Sequence, residues 1–116
     1  MTRDVRLLED IVHACEAIGH FIGDSDEAEF DANDMLLSAV LYKFVVIGEA
    51  SRRMSLDLKS AYPAVPWAQA ISLRNFIAHG YDVVRSAVIW RTAKNDLPRY
   101  AASMRIVLQH LGDQTP

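Results

Sequence analysis

The chain has 116 residues, 51% of them hydrophobic, so it can bury the core of one domain, which we expect to span residues 1–116. This composition excludes a disordered chain, and the formal net charge of −3 excludes a basic coat that attracts nucleic acid in bulk. Contact with nucleic acid would therefore have to come from local arginines. Cys15 is the one cysteine, which excludes an internal disulfide and indicates a reducing compartment.

No segment of the sequence predicts export or a membrane anchor. The first ten residues lack the apolar stretch and cleavage site that together mark a signal peptide. The longest apolar run, residues 36–47, is interrupted by Lys43 and is too short to span a bilayer. We therefore expect a cytoplasmic protein that makes no membrane contact.

The first helix is predicted between Val5 and Ile22, where apolar residues recur at helical spacing and charged residues occupy the opposite face. Cys15 lies on the apolar stripe, so the pattern favours a buried, unreactive thiol over a nucleophile. Residues 23–27 are turn-forming and acidic, and they predict the end of this helix.

A second helix is predicted from a cap at Asp31 to about Met54. Between residues 36 and 47 it is apolar on nearly every side, which is typical of a helix in the middle of a bundle. A bundle this small can cover only part of such a helix, so the pattern favours a homodimer that covers the rest. Glu49, Arg52 and Arg53 have helical spacing for ion pairs on this helix, and the sequence leaves open whether Glu49 and Arg52 have a functional role.

A loop and a third helix follow. Residues 57–66 contain two prolines and are predicted to form a loop. The second of these prolines suits the first turn of a helix from Trp67 to about Ala78, and Gly80 is well placed to end that helix.

The last helical region is predicted to begin at a cap on Ser86. Asp96 and Pro98 interrupt its apolar pattern and indicate a kink or a restart. No strand-like alternation appears in the chain. The sequence therefore predicts an all-α, up-and-down helical bundle.

The octapeptide from Arg74 to Tyr81 carries the candidate chemistry. Arginine suits the charge of a phosphate and histidine moves protons near neutral pH, so Arg74 and His79 together are a minimal set for cleaving RNA without a metal. On a regular helix the two residues lie about 140° apart. Three arrangements would bring them together: an unwound helix end, an arginine that reaches around the helix, or two subunits that share a cleft.

Each of these residues also has a purely structural interpretation. Arg74 would serve as a salt-bridge partner, His79 as a helix-end residue stabilised by the helix dipole, and Tyr81 as a packing residue. The spacing of Arg74 and His79 by itself does not decide between the structural and the catalytic interpretation.

The extended motif Arg74-Asn75-x-x-x-His79-x-Tyr81 resembles the signature of HEPN-domain ribonucleases, and specifically of the HepT-like toxins. Other segments are similar to the HepT family pattern in the same order and at similar spacing. They are Ile47-Gly48-Glu49-Ala50, Pro63-x-x-Pro66-Trp67, Trp90 and Asp96-Leu97-Pro98. The resemblance covers nearly the whole chain and includes every motif position.

This resemblance implies a defined function. HepT-like toxins are all-helical homodimers in which two motifs face a shared cleft, and they act as endoribonucleases without a metal or cofactor. By the resemblance, Arg74 and His79 are expected to be catalytic and Asn75 to be a supporting polar residue. The partner of such a toxin is an MntA-like nucleotidyltransferase antitoxin, which transfers AMP from ATP onto the motif tyrosine, Tyr81 in this chain, and thereby silences the toxin.

Three other functions are compatible with the sequence. One is a non-enzymatic helical module that binds a nucleotidyltransferase and helps it hold substrate, which the acidic composition slightly favours. The second is an enzyme that cleaves only a special RNA, such as transfer RNA. The third is a bare structural bundle. The intact Arg74, His79 and Tyr81 favour the ribonuclease.

Overall fold

The computed structural model of the protein describes residues 2–113, apart from the side chain of Tyr81. Over that range the chain is helical and contains no strand, which confirms the all-α bundle. The α-helices of the described range, in chain order, are α1 (Thr2–Ile22), α2 (Glu27–Asp31), α3 (Asp34–Arg53), α4 (Leu56–Ala61), α5 (Trp67–Gly80), α6 (Ser86–Arg91) and α7 (Leu97–Asp113). Within residues 2–113, no helix combines the length and the apolar character needed to cross a membrane.

Helix α3 is the centre of the bundle, as its apolar sequence predicts. It packs against α1 on one side and against α5 on the other, and α1 also packs against α7. Val40, Phe44 and Ile47 of α3 are buried in the shared core. Cys15 of α1 is buried in the same core, and this burial raises the pKa of its thiol to about 12. The predicted burial of this thiol is therefore confirmed, and the raised pKa supports the expectation that it is unreactive.

The predicted cap of the central helix is wrong by two residues. Asn33 caps α3, and its Oδ1 accepts a hydrogen bond from the backbone N–H of Leu36 at 3.0 Å. Asp31 is instead the last residue of α2, a short helix that the sequence did not predict. Helix α2 forms because Asp26 and Glu29 exchange side-chain-to-backbone hydrogen bonds in a capping box.

The predicted loop over residues 57–66 is also wrong, because its first half is helix α4. Ser55 caps this helix, and its Oγ accepts from the backbone N–H of Leu58 at 3.1 Å. The same Ser55 donates to the buried carboxylate of Asp4 through its backbone N–H at 3.0 Å and through its hydroxyl at 2.7 Å. A helix of so few residues depends on contacts with the rest of the fold, and this one comes from α1, 51 residues earlier in the chain.

Ser86 does not cap helix α6 as predicted. The capping position is occupied by Arg85, whose side chain makes no capping hydrogen bond, and the Ser86 hydroxyl donates to Asp31 of α2. The predicted interruption near Asp96 is confirmed. Residues 92–96 form a single turn of π-helix, after which α7 begins, with Pro98 in its first turn, where a missing N–H costs little.

Helices α3 and α5 approach each other closely at Gly48. A Cβ atom at this position would lie 2.2 Å from the Cβ of Arg74 and 2.8 Å from the backbone oxygen of Ala70. Contacts this short do not occur between real atoms, so the two helices can approach each other only because residue 48 has no side chain.

We therefore expect Gly48→Ala to lower the free energy of unfolding by about 1–3 kcal/mol, because α3 and α5 would have to separate. The control is Gly19→Ala in α1, where a Cβ meets no atom within 4 Å. Alanine is the better helix former, so this variant should be more stable by about 0.5–1 kcal/mol. Urea unfolding followed by circular dichroism measures both values, and equal effects of the two substitutions would contradict the close approach.

Candidate active site

Helix α5 carries the candidate motif and is held in place along its whole length. Its first residue, Trp67, is buried and donates a hydrogen bond from Nε1 to the backbone oxygen of Tyr62 at 3.0 Å. Its middle packs on Gly48 of α3, and Ile77 is buried near its end. The motif side chains therefore project from a rigid element, which is the arrangement that precise chemistry requires.

Arg74 lies at the contact between α3 and α5, with 29% of its side chain exposed. Its Nη2 is 3.5 Å from Oε2 of Glu49 on α3, and its Nη1 donates to Oδ1 of Asn75 at 3.0 Å. Its Nε is buried and has no hydrogen-bond partner among the described residues. The stem of this arginine is thus packed, while its guanidinium is oriented by two neighbours and reaches the solvent.

Glu49 bridges two arginines. Its Oε1 accepts from Nη2 of Arg52 at 2.6 Å, and its Oε2 accepts from Nε of Arg52 at 3.3 Å while also lying 3.5 Å from Nη2 of Arg74. The hydrogen bond from Arg52, assisted by the positive charges of the nearby arginines, holds the pKa of the Glu49 carboxyl below its usual range. Glu49 therefore remains ionised near neutral pH and partly neutralises the two arginines on either side of it.

His79 occupies the last turn of α5 and is exposed. The helix stays regular through Gly80 and only then tightens into a 3₁₀ turn over Tyr81–Val83. The end of α5 is therefore not unwound, and Arg74 turns toward α3 rather than around the helix to His79. Among the described residues, no hydrogen bond or ion pair joins Arg74 to His79.

The four predicted motif residues thus have different positions. Arg74 and Asn75 are in contact, His79 is one turn further along the same helix, and the side chain of Tyr81 lies outside the described part of the structure. The individual roles assigned to these residues stay predictions. The arrangement combines an oriented guanidinium with an accessible imidazole, which together can bind a phosphate and move a proton.

The contact of Glu49 with Arg74 is the feature of the site that the sequence did not predict. The spacing of Glu49 from Arg52 predicted the ion pair on α3, which the structure confirms, but no local pattern indicated the contact with Arg74. The available signal was the preceding Gly48, since a glycine inside a long apolar helix commonly marks a close helix contact. A residue next to such a contact is a candidate partner for a charged side chain on the opposite helix.

Comparison with known proteins relates the chain to one family. The family model described as "Ribonuclease HepT-like" matches residues 11–107, which include the whole motif. The chain is 35% identical over 106 residues to "Putative RNase MJ1380" of Methanocaldococcus jannaschii, covering 90% of this chain and 97% of that protein. It is 34% identical over 91 residues to "Probable ribonuclease HepT" of Thermococcus cleftensis, covering 78% and 83% of the two chains. No solved structure matches the chain.

Because the Glu49 carboxylate lies between Arg52 and Arg74, removing its charge should change how tightly the two arginines bind an anion. In Glu49→Gln we expect inorganic phosphate to bind about two- to fivefold more tightly, because one exposed negative charge beside two arginines is removed. A phosphate titration followed by the NMR signals of the arginine side chains measures this affinity. Glu9→Gln, which removes a charge from the exposed face of α1, should leave it unchanged. Weaker binding in Glu49→Gln would contradict a neutralising role for this carboxylate.

Proposed function

This chain belongs to the HepT-like ribonuclease family, and we propose that it is a metal-independent endoribonuclease, the toxin of a toxin–antitoxin pair. The observation that carries the proposal is the oriented, partly exposed guanidinium of Arg74, on the same rigid helix as the exposed His79. The match to the family extends across both residues. The RNase names of the relatives support RNA as the substrate.

The proposed reaction is an internal transfer at phosphorus. The ribose 2′-oxygen forms a bond to the neighbouring phosphorus, the bond from phosphorus to the 5′-oxygen of the next nucleotide breaks, and His79 accepts the proton of the 2′-hydroxyl. The departing 5′-oxygen takes a proton from a second imidazole or from water. The products are a 2′,3′-cyclic phosphate and a 5′-hydroxyl, and no metal takes part in any step.

Arg74 is proposed to stabilise the negative charge that gathers on the phosphoryl oxygens during this transfer. Its contact with Asn75 supports the role, because a donor that is already oriented does not have to be ordered during the reaction. Asn75 is therefore proposed to be a supporting polar residue that aims the guanidinium.

We propose that the active species is a homodimer with the two motifs facing one cleft. The regular end of α5 supports this, because within one chain Arg74 turns toward Glu49 while His79 is a turn further along. A second copy would supply a second imidazole to the same phosphate. Phe76, which lies between the two residues in sequence and is 48% exposed, offers apolar surface for such a contact.

The proposed partner is an MntA-like nucleotidyltransferase antitoxin that transfers AMP onto the hydroxyl of Tyr81. The new phosphodiester would place bulk and a negative charge two residues from His79, which would exclude RNA and repel its phosphates. The alternative is that the chain is a non-enzymatic module that binds the nucleotidyltransferase and its substrate, which the net charge of −3 favours.

We expect the wild type, prepared without its partner and shown by mass to carry no AMP, to cleave total RNA including transfer RNA in EDTA. His79→Ala should lower the rate by about a hundred- to ten-thousandfold, because the proton acceptor is lost. Arg74→Ala should lower it by about a hundred- to a thousandfold, because the phosphoryl charge is no longer stabilised. Gel electrophoresis of the RNA measures the rate, and a test for cyclic phosphate identifies the product.

Controls for these variants come from α1, where His20→Ala and Arg6→Ala remove exposed residues of the same types. Both controls should retain the wild-type rate. Cleavage that requires magnesium would contradict the proposed reaction. An inactive, unmodified wild type would favour the partner-binding module.

The role of Tyr81 is tested by Tyr81→Phe, which lacks only the hydroxyl that would accept AMP. We expect this variant to retain nuclease activity and to escape silencing when it is incubated with the nucleotidyltransferase and ATP, whereas the wild type gains the mass of AMP and loses activity. RNA cleavage and intact-protein mass spectrometry follow the two effects. Full silencing of Tyr81→Phe by the partner would instead indicate inhibition by binding alone.

A further inference from the structure

A cavity of about 210 Å³ opens between α3, α5 and the turn of π-helix over residues 92–96. Most of its wall is apolar and includes the aromatic rings of Phe44 on α3 and Tyr100 on α7. The buried Ser51 donates its hydroxyl proton to the backbone oxygen of Ile47, so Tyr100 donates its own proton to Ser51 at 2.7 Å and has none left for a molecule in the cavity. The aromatic rings therefore offer an apolar surface rather than a polar one.

The cavity lies along the same helix as Arg74, which is not itself one of its lining residues. Leu73, the residue before this arginine, lines the cavity, and so does Ala70, one helical turn earlier on α5. The stem of Arg74 and the backbone of Ala70 both meet α3 at Gly48, so the cavity adjoins the helix contact that packs this arginine. On the opposite wall, the lining residue Ile47 immediately precedes the Gly48 contact.

The size of the cavity limits what it can hold. Sites for drug-sized molecules typically enclose about 300–1,000 Å³. A volume of about 210 Å³ is below that range and is suited to a single small ring system. Apolar and aromatic walls favour a flat molecule such as a nucleobase, and unpaired RNA bases are commonly bound on aromatic side chains.

Polar groups are confined to a few positions of the lining. Asp96, at the end of the π-turn, contributes a carboxylate that is 48% exposed and 3.6 Å from Nη2 of Arg99. Gln69 of α5 contributes an amide that makes no hydrogen bond to the described residues. A carboxylate can accept two neighbouring N–H donors, and an amide can donate to a carbonyl oxygen.

We propose that this cavity binds an unpaired base of the RNA substrate, and that it favours guanine. The edge of guanine carries two neighbouring N–H donors, which suit the carboxylate of Asp96, beside a carbonyl oxygen, which suits Gln69. Uracil presents one N–H donor between two carbonyl oxygens, and these oxygens are repelled by a carboxylate. The inference rests on the proposed ribonuclease function and adds a base preference to it.

The π-turn explains how the sequence builds this site. Thr92 and Asp96, the first and last residues of the turn, both line the cavity, and the Thr92 hydroxyl donates back to the backbone oxygen of Val88 at 2.9 Å. Turns of π-helix occur frequently at functional sites because they re-aim side chains at the cost of regular hydrogen bonding. In this chain the turn exposes one carboxylate at the mouth of an otherwise apolar cavity.

The test is cleavage of a random-sequence RNA in EDTA, with the cut ends identified by sequencing. The wild type should prefer guanine over uracil by about tenfold at one fixed position relative to the cut. Asp96→Asn and Gln69→Leu should each lower this preference severalfold while cleavage continues. The matched control is Arg99→Gln, which removes the ion-pair partner of Asp96 but changes no residue of the cavity lining. This variant should keep the preference for guanine.

The base site is wrong if the wild type cleaves without base preference, or if both variants keep the preference of the wild type. In either case the proposed ribonuclease activity is not contradicted. A wild type that cleaves no RNA would overturn both proposals. Leu73→Trp, which fills the cavity, adds a second measurement and should raise the KM for guanine-containing RNA more than it changes kcat. If this variant instead alters the oligomeric state seen by light scattering, the cavity belongs to a subunit contact and the base site is wrong.

Discussion

The contact at Gly48 determines the geometry of the candidate site. Because residue 48 has no side chain, the backbone of α3 lies against Arg74 and Ala70 of α5, and the arginine stem is packed rather than free. This contact brings Glu49, the next residue on α3, to the guanidinium of Arg74. A larger residue would push the helices apart and release the arginine. The packing of two helices and the orientation of a candidate catalytic group therefore depend on the same contact.

The charges around Arg74 act in opposing directions. Glu49 helps to orient the guanidinium, and it also weakens the positive charge that a phosphate would bind. Since the carboxylate is shared with Arg52, its interaction with either arginine is reduced. The pair is about one-third exposed, so water and salt screen it, and a phosphodiester of RNA can compete with the carboxylate for Arg74. The guanidinium of Arg74 is therefore oriented before a substrate binds and remains accessible to an anion.

The overall fold follows largely from local patterns. Helical spacing of apolar residues predicts α1, the central α3 and α5, and it correctly places Cys15 in the core. Single polar residues were less reliable guides to helix ends. Asp31 and Ser86 both have the chemistry of a cap, yet they bond to each other across α2 and α6. A residue type that suits a cap also suits a contact between helices, and local sequence does not distinguish the two uses.

The sequence by itself determined the all-α architecture, the central helix and the motif residues on α5, because helical periodicity and residue chemistry are local properties. The tertiary structure alone decided the partners: Asp4 with Ser55, 51 residues apart, and Glu49 with Arg74. It also decided the cavity that adjoins the helix contact at Gly48. The physical reason is that periodicity reports which face of a helix is apolar, while the element that covers this face depends on how all the helices pack together.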